Sequence, residues 1–131
     1  MTEDRHNNRL LNALSDEDYG LIARNLEEVD LTRGYYLAKA GQASSHVYFP
    51  SHGIASVIAV SAMGRRAEAG MVGLEGFAPV ASVVPASYGP FDVVVQVPGH
   101  GSRLDLEAFQ ESFEANPGFR DVILRAARQS R

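Results

Sequence analysis

Glu75 is the single carboxylate or basic side chain between Ala69 and Phe91, in a stretch made mostly of Gly, Ala, Val and Pro. Gly70, Gly73 and Gly76 stand at every third position around it. A lone acid in a small-residue segment is what a ligand-binding loop uses when backbone must approach a small molecule closely. A buried crossover, with glycines that only permit tight turns, is the other reading of the same residues. Both readings need the same support, a strand on either side. Residues 66–72 and 92–97 have the composition for that.

Other chemistry-bearing residues form weaker patterns. His6, His46, His52 and His100 are four imidazoles in a chain without cysteine. A cupin-type metal enzyme needs two histidines two residues apart with a carboxylate soon after. His46 and His52 are six apart with Pro50 between them, so the spacing predicts no metal site, and Ser51-His52-Gly53 reads as a surface turn. Arg65, Arg66 and Glu68 form either a solvated hairpin or the mouth of an anion site. Glu27-Glu28 and Asp16 to Asp18 sit at helix ends, where capping and solvation explain them. Neither a Gly-x-Ser-x-Gly elbow nor a phosphate-binding P-loop occurs.

The bulk properties narrow the class further. A length of 131 residues suits one domain, and 45% hydrophobic residues suffice for a core. The net charge of −4 argues against coating nucleic acid or an anionic membrane by charge alone. The absence of cysteine excludes disulfides, thiolate metal sites, cysteine-ligated iron–sulfur clusters and a cysteine nucleophile. It is compatible with a cytoplasmic protein. The start, MTEDRHNNR, is acidic and polar, unlike a signal peptide. Residues 76–86 are too few to span a bilayer and contain Pro79 and Pro85. Residues 118–131 hold four arginines against Asp121, which reads as a solvated helix face.

The elements that must position these residues follow from periodicity. Residues 8–14 and 16–26 predict two short helices. Ser15 is the expected N-cap of the second, and Tyr19, Ile22, Ala23 and Leu26 form its apolar face. From 27 to 105 the period becomes alternating, with turn signals at 32–34, 40–42, 50–53, 62–64 and 98–99. This predicts a series of short strands in a β-sandwich or jelly-roll barrel. Pro50 and Pro98-Gly99 are read as strand ends. Asp105 is the expected cap of a helix over 106–115, with Leu106, Phe109 and Phe113 inward. Asn116-Pro117-Gly118 breaks that helix. A last helix begins near Gly118, with the stripe Phe119, Val122, Ile123 and Ala126. It runs about 20 Å to Arg131 without a stop signal, as an interrupted helix would.

Two helices, about eight short strands and two helices joined by Asn-Pro form an order with a known counterpart. Over residues 9–131 the chain resembles the cyclic-nucleotide-binding domain of the Crp/Fnr family of bacterial transcription regulators. The resemblance is carried by residues 8–14, by Gly41-Gln42 followed by Val47-Tyr48-Phe49 and Gly53, and by Gly64-Arg65-Arg66. It continues through Gly73-Leu74-Glu75-Gly76-Phe77 and Asn116-Pro117. It implies one domain: N-terminal helices over 1–26, a jelly-roll β-barrel over 27–105, and C-terminal helices over 106–131. It also implies a non-catalytic sensor without a cofactor, and a homodimer paired through Phe119, Val122, Ile123 and Ala126. DNA is reached through a helix-turn-helix that does not follow Arg131 here. The expectation is a truncated regulator, the alternatives being a free-standing ligand-binding protein or a cupin-like enzyme.

The same resemblance places Gly73, Glu75, Gly76, Ser87 and Tyr88 at the ligand cassette. Ligand-binding members hold the cyclic phosphate with a helix N-terminus and an Arg just before the next strand. Here residues 87–92 contain no cation, and the cassette's Gly-Glu falls near Ala78-Pro79, where Pro79 has no N–H to give. Loss of the Arg contact alone costs roughly 2–5 kcal/mol of affinity. The expectation is a domain that does not bind cyclic nucleotide in the usual way. An apolar effector, a protein contact or no ligand remain.

Overall fold

The computed structural model describes residues 8–79 and 89–129. In chain order they form α1 (Arg9–Asn12), α2 (Asp16–Ala23), β1 (Leu26–Leu31), β2 (Tyr36–Ala38), β3 (His46–Val60) and β4 (Arg66–Val72). These are followed by β5 (Phe91–Asp105), α3 (Leu106–Ala115) and α4 (Pro117–Gln129). The sheet is antiparallel in the order β1-β5-β3-β4, with β2 also pairing to β5. It is mainly β with flanking helices, as expected, and the sheet formed by the described residues is open rather than a closed barrel.

The turn residues act differently from the expectation. Pro50 and Pro98-Gly99 do not end strands. β3 and β5 each continue for 15 residues through these positions and pair along nearly their whole length. The pairing passes these positions by register shifts between Pro50 and His52, between His52 and Ile54, and between Ile54 and Ala55. Bulges let a strand pass a proline and bend at the same time. Gly53 has φ of 101°, and an added Cβ there would lie 2.7 Å from the Val97 carbonyl oxygen. What read as separate short strands are therefore two long bent ones, and the described strands number five.

Alternation along β3 and β5 divides the interior in two. Val47 and Phe49 of β3 and Leu104 of β5 face the helices. There they meet Leu10, Leu11, Leu14, Ile22, Phe77, Phe109, Phe119 and Ile123. Tyr48, Ala55, Val93 and Val95 face the other way, against Leu31, Leu37, Val72 and Ala78, and form the inside of the roll.

The helix caps are largely as read. The Ser15 hydroxyl accepts from the Asp18 N–H at 3.1 Å, and Asp105 accepts from the N–H groups of Glu107 and Ala108. α2 stops at Ala23, short of the expected 26, because Leu26 pairs with Leu104 as the first residue of β1. α4 starts at Pro117, where the missing N–H loses nothing. Asn116 precedes it as the cap, its Oδ1 accepting from Gly118 and Phe119. Among the described residues no helix is long and apolar enough to cross a membrane.

Candidate functional site

Residues 73–79 leave β4 as a tight turn fastened on three sides. The Gly76 N–H donates to the Gly73 carbonyl at 3.2 Å. The Arg9 N–H donates to the Leu74 carbonyl at 2.6 Å, which ties the turn to α1. Asn8, fully buried, donates through Nδ2 to the carbonyls of Gly76 (3.0 Å) and Pro50 (2.8 Å). Ala78 then forms an isolated bridge with Tyr48, exchanging bonds of 2.7 and 3.0 Å. Phe77 is buried on the helix side and Ala78 inside the roll, so this short piece crosses from one core to the other.

The return at 89–92 is fastened as well. The Gly41 N–H donates to the Gly89 carbonyl (3.1 Å) and the Val60 N–H to the Pro90 carbonyl (2.9 Å). Asp92 is buried. Its Oδ1 accepts from the Ala40 N–H at 2.8 Å and its Oδ2 pairs with Arg66 of β4. The Ala40 N–H, helped by the Arg66 guanidinium, holds the Asp92 carboxyl below its ordinary value, against the opposing effect of burial. The Lys39 ammonium lies over the Tyr36 ring, 5.3 Å from its centre.

Among the described residues, the cluster inside the roll is apolar apart from the Tyr48 hydroxyl. The Tyr48 and Tyr35 hydroxyls are 2.9 Å apart, with their rings edge to face. Burial, then the bond to Tyr35, pushes the Tyr48 phenol up to about 12, and Arg103 opposes this. Tyr48, Arg103 and Glu27 stand opposite one another on β3, β5 and β1, and Arg103 Nε donates to Glu27 Oε1 at 2.6 Å. Both arginines here, Arg66 and Arg103, are thus paired with a carboxylate.

Of the residues expected at the cassette, Gly73, Glu75 and Gly76 share one turn, with Glu75 exposed at its tip. Ser87 and Tyr88 lie outside the described residues. The sequence reading missed Asn8, Arg66 with Asp92, and Tyr48 with Tyr35. That residues 66–72 and 92–97 form strands was legible, but the register that brings Arg66 to Asp92 was not.

The stripe on α4 is already used within the chain. Phe119 and Ile123 are fully buried in the helix-side core, and Val122 and Ala126 pack partly buried against it. Leu124 lies off that stripe and is half-buried.

No family model matches the sequence, and a search of curated proteins finds no match either. Solved structures do match. The regulatory subunit of a cAMP-independent protein kinase A from Trypanosoma brucei superposes with a TM-score of 0.77 at 18% identity, over 94% of this chain and 44% of that one. The N-terminal domain of a transcriptional regulator from Streptomyces coelicolor A3(2) gives 0.67 at 22% identity, over 93% and 85%. The sensor domain of the transcriptional regulator DNR from Pseudomonas aeruginosa gives 0.69 at 15% identity, over 92% and 81%. The chain spans less than half the length of the kinase subunit and most of the two regulator domains. At these identities the likeness is one of architecture: the chain has the fold of the cyclic-nucleotide-binding domain.

Proposed function

We propose that this domain is a non-catalytic sensory module of a Crp/Fnr-like transcription regulator, and that it does not hold a cyclic phosphate in the usual way. The observation that carries the second half is Asp92. A buried carboxylate stands at the start of β5, close to where a phosphate would need a cation, and it engages Arg66. A phosphate there would face Asp92, and the nearby Arg66 is already paired with that carboxylate. The N–H groups of Gly76 and Ala78 are also engaged within the chain. A neutral or apolar effector, or a protein contact, suits an interior lined by Leu37, Val72, Val93 and Val95.

In a sensory module of this kind the signal acts allosterically, and a run of aromatic contacts supports a route for it. Phe49 meets Phe77, Phe77 meets Phe109, and Phe109 meets Phe119, with ring centres 6.4, 6.1 and 5.6 Å apart. These link the turn after Gly76 to the first turn of α4 through close packing. A signal that moves residues 73–79 therefore has a mechanical route to α4. We assign homodimerisation to exposed positions of α4 around Leu124. DNA contact belongs to a separate domain, not to the elements described here, and the setting is cytoplasmic.

Titration calorimetry with cyclic AMP and cyclic GMP tests the ligand reading. The expected result is no heat of binding up to millimolar nucleotide. Micromolar or tighter binding of either would overturn it.

A further inference from the structure

His52 and His100 are far apart in the sequence and adjacent in the sheet. They stand opposite each other on β3 and β5, both exposed, with ring centres 4.6 Å apart and planes tilted by 50°. The backbone around them is built for close approach. A Cβ on Gly99 would overlap the His52 carbonyl oxygen, and one on Gly101 would lie 2.5 Å from the Phe49 carbonyl oxygen. With Gly53 included, three glycines flank the two histidines, each where a side chain would meet the opposite strand. The pair is thereby held on a bulged but hydrogen-bonded frame rather than on a loop.

Two imidazole rings at this spacing suit one borderline metal ion. With metal–nitrogen bonds of about 2.1 Å, each ring centre lies about 3.2 Å from the ion, and an angle of about 90–110° at the metal puts the centres about 4.5–5.2 Å apart. The observed 4.6 Å falls within that span. Among the described residues no group of three or more His, Asp or Glu is placed to hold a metal. Asp30 faces His100 from β1 in register, but water must complete the shell.

We propose that His52 and His100 form a two-histidine site for a divalent transition cation, with Cu²⁺ bound more tightly than Ni²⁺ or Zn²⁺. The ion ties β3 to β5 beside Pro50, whose carbonyl accepts from Asn8. It therefore stiffens the part of the sheet on which α1 and the turn at 73–76 are fastened. The site is independent of the cassette and of whether a nucleotide binds there.

The test is calorimetric titration of the full, tag-free chain with Zn²⁺ and with Cu²⁺ in a non-coordinating buffer. One ion per chain at micromolar affinity is expected. His52→Ala and His100→Ala should each weaken it roughly tenfold or more, while His46→Ala, which removes a histidine elsewhere on β3, leaves it unchanged. No binding below millimolar metal, binding that survives either variant, or equal loss in His46→Ala would each overturn the proposal. Electron paramagnetic resonance of the Cu²⁺-loaded wild-type chain gives a check that does not depend on any variant folding. Two coupled imidazole nitrogens are expected, and one or none overturns the site.

Discussion

The side chain of Asn8 donates to the carbonyl of Gly76 at 3.0 Å, joining the cap of the first helix to the turn that opens the candidate cassette, 68 residues away. The same amide donates to Pro50, and its oxygen accepts from the Leu11 N–H at 3.0 Å. One buried amide therefore satisfies three backbone groups from three parts of the chain.

Asn8→Ala should be among the most damaging single truncations. It removes the donor to the Gly76 and Pro50 carbonyls and the acceptor for the Leu11 N–H, and each buried polar group left unsatisfied costs about 1–3 kcal/mol. A combined loss of about 3–5 kcal/mol is expected by urea unfolding, less where water enters. Hydrogen exchange should accelerate at Gly76 and Leu11 before it does in the sheet. A loss under about 1 kcal/mol, with unchanged exchange, would refute this account of the amide.

Two glycine substitutions should differ for a steric reason. An added methyl at Gly118 runs into the Asp18 carboxylate, the movable end of a side chain. At Gly99 it runs into the backbone of His52 and Gly53, which cannot yield without breaking the ladder. Gly118→Ala should cost no more than about 1–2 kcal/mol and be relieved by Asp18→Ala, whereas Gly99→Ala should cost about 3 kcal/mol or more with no such rescue. Thermal unfolding of the three variants and the double variant checks the order.

The pairing of Asp92 makes stability depend on acid. Its folded carboxyl titrates below its unfolded value, so the folded form binds that proton less readily. The resulting stabilisation is present in full above the ordinary aspartate value of about 3.9, and is lost as pH falls through the lower folded value. Asp92→Asn should flatten that acid limb in denaturant unfolding measured from pH 6 downward, leaving the neutral region level in both proteins. An unchanged acid limb would remove Asp92 from the account.

Ile123 and Leu124 are neighbours with different surroundings. Ile123→Glu places a charge in the helix-side core and should unfold the chain, seen as lost ellipticity. Leu124→Glu should leave the fold intact and, if α4 pairs two copies, reduce the mass measured by light scattering. A folded Ile123→Glu protein would contradict the core placement, and a Leu124→Glu dimer would move the interface elsewhere.

Periodicity and capping chemistry are local, and they were legible in the sequence. β4, α3, the caps at Ser15 and Asp105, and the apolar stripe of α4 all follow from residues within a few positions of one another. The order of elements was enough to expect this fold. Pairing is not local. A proline or glycine reads as a break until a partner strand is present, and Pro50, Gly53 and Gly99 became bulges because β3 and β5 lie against each other there. An apolar stripe also does not name what will cover it. Phe119 and Ile123 suited a second copy of the chain, and the chain's own sheet and helices cover them instead. Register likewise brought Asp92 to Arg66 and His52 to His100, because strand pairing converts a separation of tens of residues into a few ångströms. Local residue order sets which elements form and which faces are apolar. Which charges meet is settled by strand pairing, because distances between strands follow from register rather than from composition.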